Sequence, residues 1–181
     1  MQISEQILNM KDDCVKIRRD LHRIPEIGFE LHQTHEYIKP LIEQTQPDEL
    51  RVLAGAGFKA VYYAEGADRT IAFRADMDGM KNTEENRFRF RSRNKGVMHG
   101  CGHDGHMTIL LLLARWISLN RERLKCSVVL IFQPGEEGWG GARKMIDEGV
   151  LENPKIDRIY GLHLWPTVPK GKIGIRWSNL M

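Results

Sequence analysis

The sequence predicts an α/β protein with helices packed on a layered sheet, and three observations lead there. Ser127 to Phe132 reads Ser-Val-Val-Leu-Ile-Phe, an apolar and β-branched run expected of a central strand covered on both faces. Helix-periodic and strand-like segments alternate along the chain in the order helix, strands, helix, strand, helix, strand. Residues able to bind a metal recur at or just past predicted strand ends, where ligands collect in such sheets.

The elements follow in chain order. Ile3, Ile7, Met10, Cys14, Ile17 and Leu21 recur at helical spacing, with Pro25 just beyond the stop. A second helix includes Glu36 to Gln44, where Pro40 removes one backbone hydrogen bond and should kink or shorten it. Lys59 to Ala64 and Thr70 to Ala75 read as strands joined through a turn near Gly66-Ala67-Asp68. Met107 to Ser118 is apolar enough for a buried helix, and Gly140 to Glu148 reads as a helix closed by Gly149. Arg158 to Leu162 and Gly171 to Trp177 complete the set as short strands.

The chain is long enough, at 181 residues, for one domain with a real core, and 41% hydrophobic with 28% charged content is that of a soluble globular protein. A formal net charge of +3 is too small to mark a polyanion binder. The basic run Arg87, Arg89, Arg91, Arg93 and Lys95, alternating with Phe88 and Phe90, reads as a solvated strand or loop face. Neither a broad basic surface nor a recognisable nucleic-acid module is visible, so no nucleic-acid partner is expected. Cys14, Cys101 and Cys126 do not form a disulfide framework, and free thiols fit a reducing cytoplasm. The first residues have no basic region followed by an apolar stretch, and the apolar run Ile109 to Ala114 is too short to cross a bilayer.

The chemistry concentrates in His99-Gly100-Cys101-Gly102-His103-Asp104-Gly105-His106, which packs three imidazoles, a thiol and a carboxylate into eight residues. A cysteine alone is more often a buried free thiol, but Cys101 and His103, two apart on a glycine-rich loop, can turn toward one point. Sulfur, nitrogen and oxygen donors together suit zinc and can also hold manganese, cobalt or nickel. His106 opens a helix and could ligate, cap or pack; Asp104 could orient His103 by accepting its other ring proton. Glu136-Glu137, after Gln133-Pro134-Gly135, could set one carboxylate on the metal and leave its neighbour to move a proton. That spare acid argues against a closed structural zinc site. His163, at another strand end, is a further ligand candidate. Asp76 and Asp78 follow Ile71-Ala72-Phe73-Arg74, where one could hydrogen-bond a ligand histidine or pair with Arg74. His22, His32 and His35 show no visible partners and read as ordinary surface or packing residues.

With these pieces placed, the chain resembles the N-acyl-amino-acid amidohydrolases. That branch of the dinuclear metallopeptidases includes hippurate hydrolase, N-acetyldiaminopimelate deacetylase and the plant auxin-conjugate hydrolases. The resemblance rests on five stretches that run in order across nearly the whole chain: the residues from Arg18 to Glu30, Phe73 to Asp78, Val97 to His106, Ile131 to Gly138, and Gly161 to Pro166. It implies a three-layer α/β/α zinc-peptidase-like catalytic domain. It implies Cys101, His103, Glu137 and His163 as metal ligands and Glu136 as general base and acid, while Asp76 and Asp104 stay the supporting candidates that the residues themselves suggest. It also implies two divalent ions, often manganese or zinc, and hydrolysis of the amide of an N-acyl amino acid or short peptide.

Family members are longer. After the stretch equivalent to Ile173-Gly174-Ile175-Arg176 they insert a lid or dimerisation domain, then return to supply one more histidine ligand. Residues 1–181 are therefore expected to be the N-terminal part of the catalytic domain, incomplete at its C-terminus, with sheet edges open to self-association. The alternative is an inactive or partner-dependent metal-binding fragment of a split amidohydrolase. Met80-Lys81-Asn82 departs from the Leu-Pro-containing turn common in relatives, a change at the mouth of the site rather than at its metals.

Overall fold

The computed structural model describes residues 3–175. A five-stranded mixed sheet runs through the middle: β1 (Glu49–Leu53), β2 (Gly57–Tyr62), β3 (Thr70–Asp76), β6 (Ser127–Gln133) and β7 (Arg158–Gly161), in the spatial order β1-β2-β6-β3-β7. A small second sheet pairs β4 (Met80–Lys81) with β5 (Val97–Met98). β6 sits at the centre and is buried along its whole length, as its apolar sequence requires. Its side chains alternate: Val128, Leu130 and Phe132 face one layer, Val129 and Ile131 the other.

The first layer holds α2 (Lys11–His22), α3 (His32–Glu43) and α4 (His103–Ser118), joined to the sheet through Leu21, Ile38, Ile42, Met107, Leu111 and Phe58. The opposite layer is thinner, with α5 (Gly141–Asp147) and the turn after it supplying Met145 and Val150. The expected three-layer arrangement is present. Within α3, Pro40 and Glu36 are both exposed, so solvent can reach the carbonyl that proline leaves unpaired, and the helix continues to Glu43.

Two expectations need correction, at the first helix and at the last strand, and two features of the sheet were not read from the sequence. The first helix is broken at Asn9-Met10, leaving the short α1 (Glu5–Leu8), whose Ile7 and Leu8 stay exposed. β1 was not anticipated; it forms an antiparallel hairpin with β2, Leu53 opposite Gly57. β2 and β3 are not neighbours despite the turn near Gly66, because β6 lies between them, antiparallel to β2 and parallel to β3. Residues 171–175 form no strand, and the remainder of the expected strand lies outside the described residues.

This topology positions the site. β3, β6 and β7 are mutually parallel, with Asp76 opposite Gln133 and Arg74 opposite Gly161, so all three carboxyl ends open on one edge. Phe132 is fully buried and meets Phe58 edge-on at 6.4 Å between ring centroids. Phe132→Ala should lower stability by about 3–5 kcal/mol in urea denaturation, whereas Ile159→Ala, on the exposed strand β7, should cost less than about 1 kcal/mol.

Candidate metal centre

Asp78 organises the centre from just past the end of β3. Its buried carboxylate accepts two backbone N–H bonds, from Glu136 at 2.8 Å and Glu137 at 3.1 Å. Its backbone carbonyl accepts a 2.7 Å bond from Nδ1 of His103 at the start of α4. Since that carbonyl can only accept, Nδ1 carries the proton and Nε2 of His103 is left with a lone pair. Nε2 is buried without a hydrogen-bond partner, as is Oε1 of Glu137. Oxygens of Asp76, Glu136 and Glu137 stand 3.6, 3.7 and 3.8 Å from Nε2. Nε2 therefore faces three carboxylate oxygens, an arrangement that a positive charge relieves, whether a proton on Nε2 or a bound metal ion.

A second donor set adjoins it. Nε2 of His163 lies 3.3 Å from Sγ of Cys101, and its Nδ1 donates to the carbonyl of Leu164 at 2.9 Å. Donor atoms of Cys101, His103 and His163 all lie within 4.8 Å of one another, and so do those of His103, Glu136 and Glu137. The two sets share His103. Burial, together with Glu137, Glu136 and Asp76, pushes the Cys101 thiol up to about 11. The thiol is thus protonated until a cation outweighs those carboxylates. This donor set, with two orphaned buried atoms at its centre, fits a divalent metal.

His106 is spoken for. The N–H of Leu164 donates to its Nε2 at 2.9 Å, so Nδ1 must carry the proton and donate to Oδ1 of Asp76 at 2.7 Å. No ring nitrogen remains for a metal, although Asp76, His103 and His106 lie close enough to form a candidate group. His106 instead anchors the backbone beside His163 and packs against its ring at 4.7 Å. Against the cost of burial, the hydrogen bond from His106 and the charge of Arg74 hold the Asp76 carboxyl down to about 2. Asp76 thus does both things open to it, binding a histidine and pairing with Arg74 at 2.7 Å. The histidine it bonds is His106.

Asp104 does not take the place expected for it. Its carboxylate turns away from His103 and accepts from Nδ1 of His22 at 2.7 Å and Nε of Arg18 at 3.0 Å. Nε2 of His22 lies 3.0 Å from Glu84. His22, read as an ordinary residue, is buried between two carboxylates, so both ring nitrogens donate and the ring is an imidazolium. Phe88 and Phe90, 4.2 Å apart and stacked, close over it. Thus the basic run is a loop pinned to α2 through His22 and Glu84, its arginines exposed. His35 packs on Phe58 and His32 is exposed beside Glu30, as expected of them. His99 is buried with both nitrogens unpartnered, and burial lowers it to about 4, so it is neutral.

The turn that carries the acids is backed by bare backbone. Gly141, the first residue of α5, crosses Pro134 so closely that a Cβ would overlap the Pro134 carbonyl. Alanine there would push Glu136 and Glu137 out of position.

The His22 pKa is raised above its ordinary 6.5, first by the hydrogen bond to Asp104 and, against burial, by that to Glu84. Its contribution to stability is therefore fully present below about pH 6.5 and fades as pH rises through the folded value. Thermal melts of the wild type and His22→Gln should differ most at pH 6 and converge as pH rises past that value. An equal difference at all pH values would show that His22 acts by packing alone.

Comparison with known proteins supplies a family. Residues 72–178 match the sequence profile of Peptidase family M20/M25/M40. The chain is 41% identical over 166 residues to N-acetyldiaminopimelate deacetylase of Shouchella clausii, covering 91% of this chain and 44% of that protein. It is 35% identical over 181 residues to N-acyl-L-amino acid amidohydrolase of Geobacillus stearothermophilus, covering 99% and 48%. The fold superposes with a TM-score of 0.87, at 34% identity, on the Bacillus subtilis YXEP protein, described as a dinuclear metal binding peptidase from the M20 family, over 93% of this chain and 47% of that one. The chain thus spans somewhat under half the length of these relatives. With three-layer architecture, sequence profile and solved structure in agreement, the chain belongs to Peptidase family M20/M25/M40.

Proposed function

We propose that this chain carries the metal-binding and acid–base machinery of a hydrolase that cleaves the amide of N-acyl amino acids or short peptides. The observation that carries the reading is the lone pair of His103 Nε2, buried and unpartnered among three carboxylate oxygens and beside the Cys101–His163 pair. Cys101, His103, Glu137 and His163 would hold a pair of divalent ions, manganese or zinc. Bound there, the metal pair would lower the pKa of water and polarise the scissile carbonyl.

Glu136 is the more exposed of the two acids, and its backbone is fixed by Asp78. It takes a proton from the attacking water as the carbon–oxygen bond forms, then delivers it to the nitrogen as the carbon–nitrogen bond breaks. Glu137, next in sequence and half-buried, would hold the metal beside it. Asp76 and His106 keep the His163 loop in register with the His103 end of α4. The names of the two curated relatives support an N-acyl amino acid as substrate.

Three free cysteines support a cytoplasmic setting, and no described helix is long and apolar enough to cross a membrane. Self-association is supported by β7, which lies at the sheet edge with Ile159 and Tyr160 exposed, followed by exposed Leu162, Leu164 and Trp165.

After loading with manganese or zinc, elemental analysis should find at least about one ion per chain, and several-fold less in Cys101→Ala; equal content in both would remove Cys101 from the site. Because the Cys101 thiol must lose a proton to bind, apparent metal affinity should rise by up to about tenfold per pH unit between pH 6 and 8. Isothermal titration in two buffers of different ionisation enthalpy would count the proton released. The metal-loaded chain should release free amine from N-acetyl or N-benzoyl amino acids, and Glu136→Gln should abolish that release while retaining metal. Release by the variant at the wild-type rate would end the acid–base assignment.

A further inference from the structure

The basic loop between β4 and β5 supplies no group to the metal centre. Arg87, Arg89, Arg91, Arg93 and Lys95 are all exposed, and none of them forms an ion pair among the described residues. No acid lies between Arg87 and Lys95 in the chain. The loop is nonetheless fixed. The N–H of Ser92 donates to Oε2 of Glu84 at 2.6 Å, the N–H of Arg93 to the Arg23 carbonyl at 2.9 Å, and the side-chain amide of Asn94 to the Pro25 carbonyl at 2.8 Å. Phe90 meets His22 edge-on, while Phe88, stacked on Phe90, stays 38% exposed between Arg87 and Arg89. Arg19 of α2 extends the same surface: it is exposed, with its guanidinium 4.9 Å from the centre of the Phe90 ring.

Five like charges tethered to one short loop repel one another, and an anion that met them would relieve that repulsion. Because the backbone is already held, little ordering of the loop would oppose binding. Arginine takes a carboxylate through two parallel N–H bonds, and arginines beside an exposed aromatic ring are the composition that dominates protein contacts. The extent of the patch narrows the partner further. The chain carries 27 Lys and Arg against 24 Asp and Glu, and setting these five cations aside leaves 22 against 24. A membrane or a long nucleic acid spreads negative charge widely and would also face that net-negative remainder. A short acidic segment would meet the patch alone, within the roughly 10 Å over which exposed charges act in about 0.1 M salt.

We propose that the loop from Arg87 to Lys95 is a docking surface for a short acidic segment of a partner protein. Arg87, Arg89 and Arg91 pair with its carboxylates, and Phe88 receives an apolar side chain set among them. Arg93, Lys95 and Arg19 widen the field that draws the segment in. The surface stands whether or not the hydrolase reading does, since none of these side chains belongs to the metal centre.

The probe is a short fluorescent peptide of aspartates and glutamates around a central leucine, titrated with the full chain and followed by anisotropy. Binding should saturate in about 0.1 M salt and be lost in about 1 M, where the reach of an exposed charge falls to about 3 Å. Combining Arg87→Gln, Arg89→Gln and Arg91→Gln should weaken it at least about tenfold. Combining Lys11→Gln, Lys39→Gln and Lys125→Gln removes the same charge from exposed sites elsewhere and should change affinity less than about twofold. All six side chains are exposed, so both variants should melt with the wild type. Phe88→Ala should weaken binding several-fold while keeping its salt dependence. No saturable binding, equal binding of the asparagine and glutamine counterpart of the peptide, or equal weakening by the two triple variants would overturn the docking surface. Tighter binding of a single-stranded oligonucleotide or of phosphatidylserine vesicles than of the acidic peptide would overturn it as well.

Discussion

Asp78 holds the centre together with both its side chain and its backbone. The carboxylate fixes the peptide groups of Glu136 and Glu137, and the carbonyl fixes the tautomer and direction of His103. Three chain segments that are distant in sequence thereby meet at one buried residue at the end of β3. A carboxylate that accepts two backbone N–H groups is well compensated for burial. The functional acids need not organise themselves. Their side chains are free to face the cation because their backbones are already held.

The histidines show how one residue type is given different tasks by its partners. His22 lies between two carboxylates and is held as a cation. His106 has one partner that donates and one that accepts, so it is neutral with a defined tautomer. His103 has one nitrogen satisfied and the other left bare among acids. Only the last arrangement invites a metal. The distinction rests on which atoms donate and which accept, and it separates a ligand from two supports that stand close by.

Much of this was legible in the chain. The β-branched run of β6 announces a fully buried strand, and the placement of Glu136 and His163 just past strand ends follows from parallel β3, β6 and β7. What escaped was long-range or directional. β1 is only five residues, Glu49-Leu50-Arg51-Val52-Leu53, too short for its polar–apolar alternation to stand out, and only Leu53 is buried. The insertion of β6 between β2 and β3 is a matter of strand order, which no local pattern records. His22 finds its partners 62 and 82 residues away. Asp104 follows His103 on a helix, where successive side chains diverge by about 100°, so the two could not face the same point. Asp76 and Asp78 were visible as candidates, but their division of labour depended on which way each side chain turned.

The contact between Gly141 and Pro134 has a consequence for how such a scaffold diversifies. Because α5 abuts the acid-bearing turn with no atom to spare, that turn cannot be re-aimed to suit a new substrate without dislodging a helix. Lys81, across the opening, carries no such burden, for it is exposed and makes no ion pair among the described residues. Innovation in this architecture is thereby channelled into its replaceable furnishings, while the reactive hardware stays where a single missing methyl group has locked it.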